Sequence, residues 1–180
     1  MKKLIVITMI MFAGFAVYSQ NAKEFYNTGN EKFDKGKYNE AIKDYDQAIE
    51  LDKMFAEAYY NRAMAKNSTK DYQGAIADYT KAIELNPDNV LAYNNRGLIK
   101  KTLKDYEGAY LDYSKAIELK PDYAVAYFNR GNIKVLQEQP EKGCDDFNKA
   151  LELGQNRALE YISKYCKSKD RPDSKSDQSE

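Results

Sequence analysis

From Ala22 onward, apolar and polar positions alternate with the spacing of helices. Tyr72, Ile76, Tyr79 and Ile83 stand at i, i+4, i+7 and i+11, which is one face of a helix. The pattern predicts a helix from Tyr72 to Leu85, preceded by one from about Glu57 to Asn67, with Lys70-Asp71 as the turn between them. Asn86-Pro87 closes this pair, because proline cannot continue a helix and disfavours helical geometry in the residue before it.

The pair then recurs. Asp-Tyr or Asp-Phe stands at Asp44-Tyr45, Asp78-Tyr79, Asp112-Tyr113 and Asp146-Phe147, each 34 residues from the next. Ala48, Ala82, Ala116 and Ala150 keep the same step, as do Phe25, Tyr59, Tyr93 and Tyr127. Gly29, Ala63, Gly97 and Gly131 supply a small residue once per unit, which lets antiparallel helices approach closely. Gly97 is expected to face Ala109, and Ala63 to face Ala75. Four units span 22–55, 56–89, 90–123 and 124–157. Residues 158–166 start a fifth unit that has no second helix, which fits a lid over the last repeat. The segment 167–180 is rich in Ser, Asp and Lys and is expected to be a disordered, solubilising tail.

These residues resemble tetratricopeptide repeats, in which a 34-residue helix–turn–helix carries an aromatic at position 4, a small residue at 8, alanine at 20, an aromatic at 24, alanine at 27 and proline at 32. The second unit matches with Tyr59, Ala63, Ala75, Tyr79, Ala82 and Pro87, and the third with Tyr93, Gly97, Ala109, Tyr113, Ala116 and Pro121. The first unit departs at Lys53, and the fourth at Gly143 and Gln155. The resemblance implies an all-α solenoid of four repeats with a C-terminal capping helix. It also implies a concave surface, lined by the first helix of each unit, that binds a protein or an extended peptide.

Asn27, Asn61, Asn95 and Asn129 occupy position 6 of all four units. Asparagine is a mediocre helix former, so the series calls for another cause. In the family this position points into the groove, and the row is similar to the asparagine ladder of the O-linked N-acetylglucosamine transferases, without any transferase domain. Such amides can clamp a peptide backbone, or they can bridge neighbouring repeats. Groove neighbours at position 5 are Tyr26, Tyr60, Asn94 and Phe128, and the wall becomes more apolar towards Leu91, Leu98, Val125 and Leu136. The family's carboxylate clamp for acidic peptide termini needs three cations, where this chain has Tyr26, Leu91 and Asn95. That ligand class is therefore excluded.

Position 23 carries Asp44, Asp78, Asp112 and Asp146, and position 7 carries Arg62, Arg96 and Arg130. The expected arrangement is a structural ladder between neighbouring units: Asp44 with Arg62, Asp78 with Arg96, Asp112 with Arg130, and Asp146 with Lys164. The competing use, an arginine stripe for acidic ligands, is weakened because the aspartates already neutralise it.

Composition narrows the chemistry. The 180 residues contain no histidine and no tryptophan, with 28 basic and 28 acidic side chains. Without imidazole there is no Ser-His or Cys-His pair, and two cysteines cannot build an all-thiolate zinc site. No catalytic residue, cofactor or metal site is expected. A neutral chain is also poorly suited to nucleic acid, which favours a basic face. Cys144 and Cys166 fall at the same end of two antiparallel helices, where they form either a disulfide pinning the lid or two buried thiols.

The start of the chain reads as an address. Met1-Lys2-Lys3, an uncharged apolar run from Leu4 to Val17 and the small residues before Gln20 form a bacterial-type signal peptide over 1–19, with Val17 and Ser19 at the cleavage site. The alternative is an uncleaved anchor, for which the run is short, since a span takes about 20 apolar residues. The expected location is the periplasm or the cell exterior, with no membrane insertion after cleavage. Two functions remain: an adaptor that binds in its groove, or a structural subunit of an envelope complex that uses its ends or convex face.

Overall fold

A computed structural model describes residues 20–166. The signal peptide expected over 1–19 and the tail expected over 167–180 lie outside the described residues. The described chain is helical throughout. Residues 20–34 form α1, followed by α2 (Tyr38–Leu51), α3 (Ala56–Ser68), α4 (Tyr72–Leu85), α5 (Val90–Thr102), α6 (Tyr106–Leu119), α7 (Ala124–Leu136), α8 (Cys144–Glu152) and α9 (Ala158–Tyr165). A short 3₁₀ turn, Pro140–Gly143, leads into α8. Each even-numbered helix packs against the odd-numbered helix before it and the one after it, so the units stack in sequence order.

Every turn inside a unit is built the same way. Gly36, Lys70, Lys104 and Glu138 hold the one left-handed residue, with φ between 60° and 73°. The following amide closes back on the preceding helix: Asp71 N donates to Lys66 O over 2.9 Å, and Asp105 N to Lys100 O over 2.9 Å. This is a C-terminal cap that satisfies carbonyls the helix leaves open. Asp71 and Asp105 then cap the next helix, accepting from Gly74 N and Gly108 N. Asn89 caps α5 by accepting from Ala92 N.

The core is a column of rings. Tyr45, Tyr79, Tyr113 and Phe147 are at most 1% exposed. The small residue at position 8 makes room for this ring as well as for position 20 of the facing helix, and Ala63 and Ala75 share one buried cluster. A Cβ on Gly97 would lie 2.9 Å from Tyr113 Cε1. In the last unit the backbones themselves meet, since a Cβ on Gly143 would stand 2.7 Å from Gly131 O. That contact explains why glycine replaces the alanine of the other units there.

The lid closes the column. Tyr161 of α9 sits 4.9 Å from the Phe128 ring and 5.2 Å from Phe147, centroid to centroid. Cys144 and Cys166 are joined by a disulfide with their Cα atoms 5.6 Å apart, which ties the end of α9 to the start of α8.

Candidate functional site: the amide-lined inner wall

The odd-numbered helices lie side by side and form one wall, and the asparagine series connects them. Asn61 Nδ2 donates to Tyr26 Oη over 3.0 Å and to Asn30 Oδ1 over 2.8 Å. Asn95 Nδ2 donates to Tyr60 Oη over 3.0 Å, and Asn129 Nδ2 to Asn94 Oδ1 over 3.1 Å. Each of these amides reaches back to position 5 of the unit before it. Of the two uses open to the row, the contacts on display are the bridges between repeats. A side-chain amide has two N–H groups. Both of Asn61's are engaged, Asn95 faces the Tyr79 hydroxyl as well as that of Tyr60, and Asn129 retains one. Asn27 has no earlier described unit to reach and is exposed.

Two position 5 residues are corrected by burial. Asn94 is 6% exposed and Phe128 is 5% exposed, so neither can touch a visiting chain. Asn94 is the acceptor for Asn129 and also donates to Asn95 Oδ1 over 3.2 Å. Phe128 is covered by the lid and by the Arg157 guanidinium, 5.5 Å from its ring. Tyr26 and Tyr60 remain half-buried at the wall. The side chains left accessible are Leu91, Leu98 and Leu136, which are 50%, 39% and 42% exposed. They occupy positions 2, 9 and 13, a spacing of one helix face. Lys101, at position 12, has its pKa lowered by burial and by the nearby Arg157.

At the other end of the wall a cavity of about 300 Å³ opens between α1, α2 and α3. Asn30, Phe33, Asp34, Tyr45, Asn61 and Met64 line it. Tyr45 Oη donates to Asn30 Oδ1 over 2.8 Å. Tyr113, the equivalent residue two units on, has Leu98 where Tyr45 has Asn30, and its buried hydroxyl has no partner.

The charged ladder exists, but its pairing differs from the expected one. Arg62 grips Asp78, not Asp44, with Nε–Oδ2 at 2.8 Å and Nη2–Oδ1 at 2.6 Å. Arg96 holds Asp112 and Arg130 holds Asp146 in the same two-point way. The pairs therefore lie within a unit, 16 residues apart, rather than between units. The link to the previous unit comes from the third nitrogen, which reaches Asp46, Thr80 or Ser114. Asp44 pairs with Lys32 over 2.7 Å, and Lys164 lies over the Tyr165 ring instead of on Asp146. Burial works against the charge on Arg62, but the bonds to Asp78 outweigh it and the pKa rises. At Arg130 the bond to Asp146 dominates and again raises the pKa.

Sequence inspection missed a lysine. Lys32, Lys66, Lys100 and Lys134 recur at position 11. Lys66 and Lys100 are second cations on Asp78 and Asp112, at 2.8 and 2.9 Å. Lys134 instead sits 4.1 Å over the Tyr110 ring. The period of 34 was the available signal.

Family models describing a TPR repeat match residues 29–68, and models of the tetratricopeptide repeat match 56–89, 90–123 and 124–157. The chain belongs to the tetratricopeptide repeat family. Its fold is that of a protein–protein interaction module, a class that is generally non-catalytic. Among solved structures, that of MamA is 29% identical with a TM-score of 0.73, covering 77% of this chain and 81% of MamA. The first TPR of Spaghetti (RPAP3), bound to the HSP90 peptide SRMEEVD, is 32% identical with a TM-score of 0.65, covering 67% of this chain and 95% of that one. The second TPR domain of human RPAP3, in complex with the HSP70 peptide SGPTIEEVD, is 30% identical with a TM-score of 0.61, covering 67% and 98%. No curated protein matches the chain.

Proposed function

We propose that this repeat array is an exported adaptor that holds an extended segment of another protein against its inner wall. The observation that carries the reading is the row Leu91, Leu98 and Leu136, exposed on the same wall where Asn129 keeps an unengaged N–H. Apolar anchors beside backbone-directed amides suit a peptide in extended form. The RPAP3 structures support peptide binding by this fold, but their peptides end in acidic residues. Here Tyr26, Leu91 and Asn95 replace the cations such ends require, so the partner belongs to a different chemical class. Export rests on the apolar run before Gln20 and is checked by N-terminal sequencing of the mature chain recovered from the periplasm.

A second reading has one observation in its favour. Leu111, on α6, is 59% exposed and lies on an even-numbered helix, away from the inner wall. A contact there would make the protein a structural subunit. A photo-crosslinking amino acid placed at residue 98 or residue 111 in living cells separates the two. Adducts from residue 98 alone are expected. Adducts from residue 111 alone would replace the groove by the convex face.

A further inference from the structure

Resting on the inner-wall reading, we infer that the partner segment carries a lysine or arginine side chain that enters the cavity at Asp34. Asp34 lies at the end of α1, is exposed, and makes no ion pair among the described residues. Lys32 and Lys66 are held closely by Asp44 and Asp78, and the neighbouring Lys35 and Lys37 point to Glu31 and Glu40 in long, exposed pairs rather than to Asp34. An unneutralised carboxylate thus faces a cavity of about 300 Å³.

The rest of the lining suits the remainder of such a side chain. Phe33 and Met64 offer an apolar aromatic and thioether wall for an aliphatic stem, which basic residues bury while keeping the charged head on a polar group. The two N–H groups of Asn61 are turned to Tyr26 and Asn30, which leaves its carbonyl oxygen as an acceptor beside Asp34. A guanidinium or ammonium supplies the donors that these oxygens lack.

The feature is confined to one end. Position 13 is Asp34 in the first unit, then Ser68, Thr102 and Leu136. The wall therefore runs from anionic to apolar along its length. A segment with a basic residue at one end and large apolar residues at the other has one matching direction on it. This polarity is the reverse of a wall that selects acidic termini.

The test is selection of a phage-displayed random dodecapeptide library on the full chain, followed by anisotropy titration of the enriched peptides. Lys and Arg are expected to be enriched together with large apolar residues. Asp34→Asn should weaken those peptides about fivefold, the scale of one partly solvated ion pair, and remove most of their salt dependence. Leu98→Glu should abolish binding of the same peptides. Peptides that lack a basic preference, or that ignore Asp34→Asn yet are lost with Leu98→Glu, would overturn the inference and leave the inner wall as the site. Peptides indifferent to both substitutions would remove the inner wall as well. Loss of self-association, rather than of peptide binding, in Asp34→Asn would assign the cavity to a second copy and also overturn the inference.

Discussion

Arg96 holds both carboxylate oxygens of Asp112, at 3.0 and 2.6 Å, across the two helices of a single unit. Asp112 is 4% exposed and Lys100 lies 2.9 Å away, so the carboxylate is buried between two cations. Arg96 also donates to Thr80 of the preceding unit over 2.9 Å, which makes it a joint between repeats. Arg96→Met should destabilise by about 3 kcal/mol, since it strands much of a buried charge. Adding Asp112→Leu should recover part of that loss, with Lys100 then left without its carboxylate. Urea denaturation of both variants checks this, and additive losses would contradict it.

Two tyrosines in equivalent places should behave oppositely. Tyr45 Oη has Asn30 as its acceptor, whereas the Tyr113 hydroxyl is buried without one. Tyr45→Phe is expected to cost about 1 kcal/mol, and Tyr113→Phe to be neutral or mildly stabilising. Leu98→Asn, which restores the residue found at Asn30, should stabilise only when Tyr113 is present. A double-mutant cycle read by thermal unfolding measures this coupling.

Alkaline stability follows from the same column. Burial pushes the Tyr45, Tyr79 and Tyr113 hydroxyls well above their ordinary 10.0, helped at Tyr45 by Tyr26 and Asp34 and at Tyr113 by Asp112. A raised folded-state value means that the unfolded chain releases these protons first. The stabilisation is complete below pH 10.0 and is lost as pH rises beyond it. Tyrosinate absorbance should show a late group of tyrosines that ionise together with the loss of helical circular dichroism. Ionisation of every tyrosine before any unfolding would refute this.

The disulfide should matter for the lid more than for the array. It closes a sequence separation of 22 residues, for which the loop-entropy model gives about 3 kcal/mol. Cys166→Ser, or reduction, should lower the melting temperature and expose α9 to protease. Cleavage is expected after Lys164 while α3 to α6 stay protected. A reduced protein as resistant at Lys164 as the oxidised one would speak against the tie.

The turns offer a gain in stability. Lys70 and Lys104 adopt φ of 65°, a conformation that disfavours side chains and that Gly36 occupies freely in the first unit. Glycine at both positions should stabilise by up to about 1 kcal/mol each, as relief of the left-handed strain outweighs the added freedom of the unfolded chain. Chemical denaturation of the double variant measures it, and a net loss would show that the unfolded-state term dominates.

Much of this architecture was legible because a period of 34 residues marks Tyr45, Tyr79, Tyr113 and Phe147 directly in the chain. Repetition also exposed the asparagine row and the aspartate–arginine series. What it could not give was pairing. Asp44, Asp78 and Asp112 each stand within reach of two candidate units, and a period is silent on which one a side chain meets. Arg62 turns to Asp78 because the two helices of its own unit are antiparallel neighbours, while the fork of its guanidinium leaves one nitrogen over for Asp46. Phe128 looked available for the same reason, until the lid was seen to cover it.

The sequence alone therefore determined the helices, their number per repeat, the residues of the ring column and the absence of histidine chemistry. These follow from local periodicity and from side-chain identity. The tertiary structure alone decided which amide N–H groups remain unengaged, which aspartate each arginine holds, and that Asp34 is left without a cation at a cavity. Those outcomes depend on distances between helices far apart in the chain, where a shift of a few ångströms exchanges one partner for another.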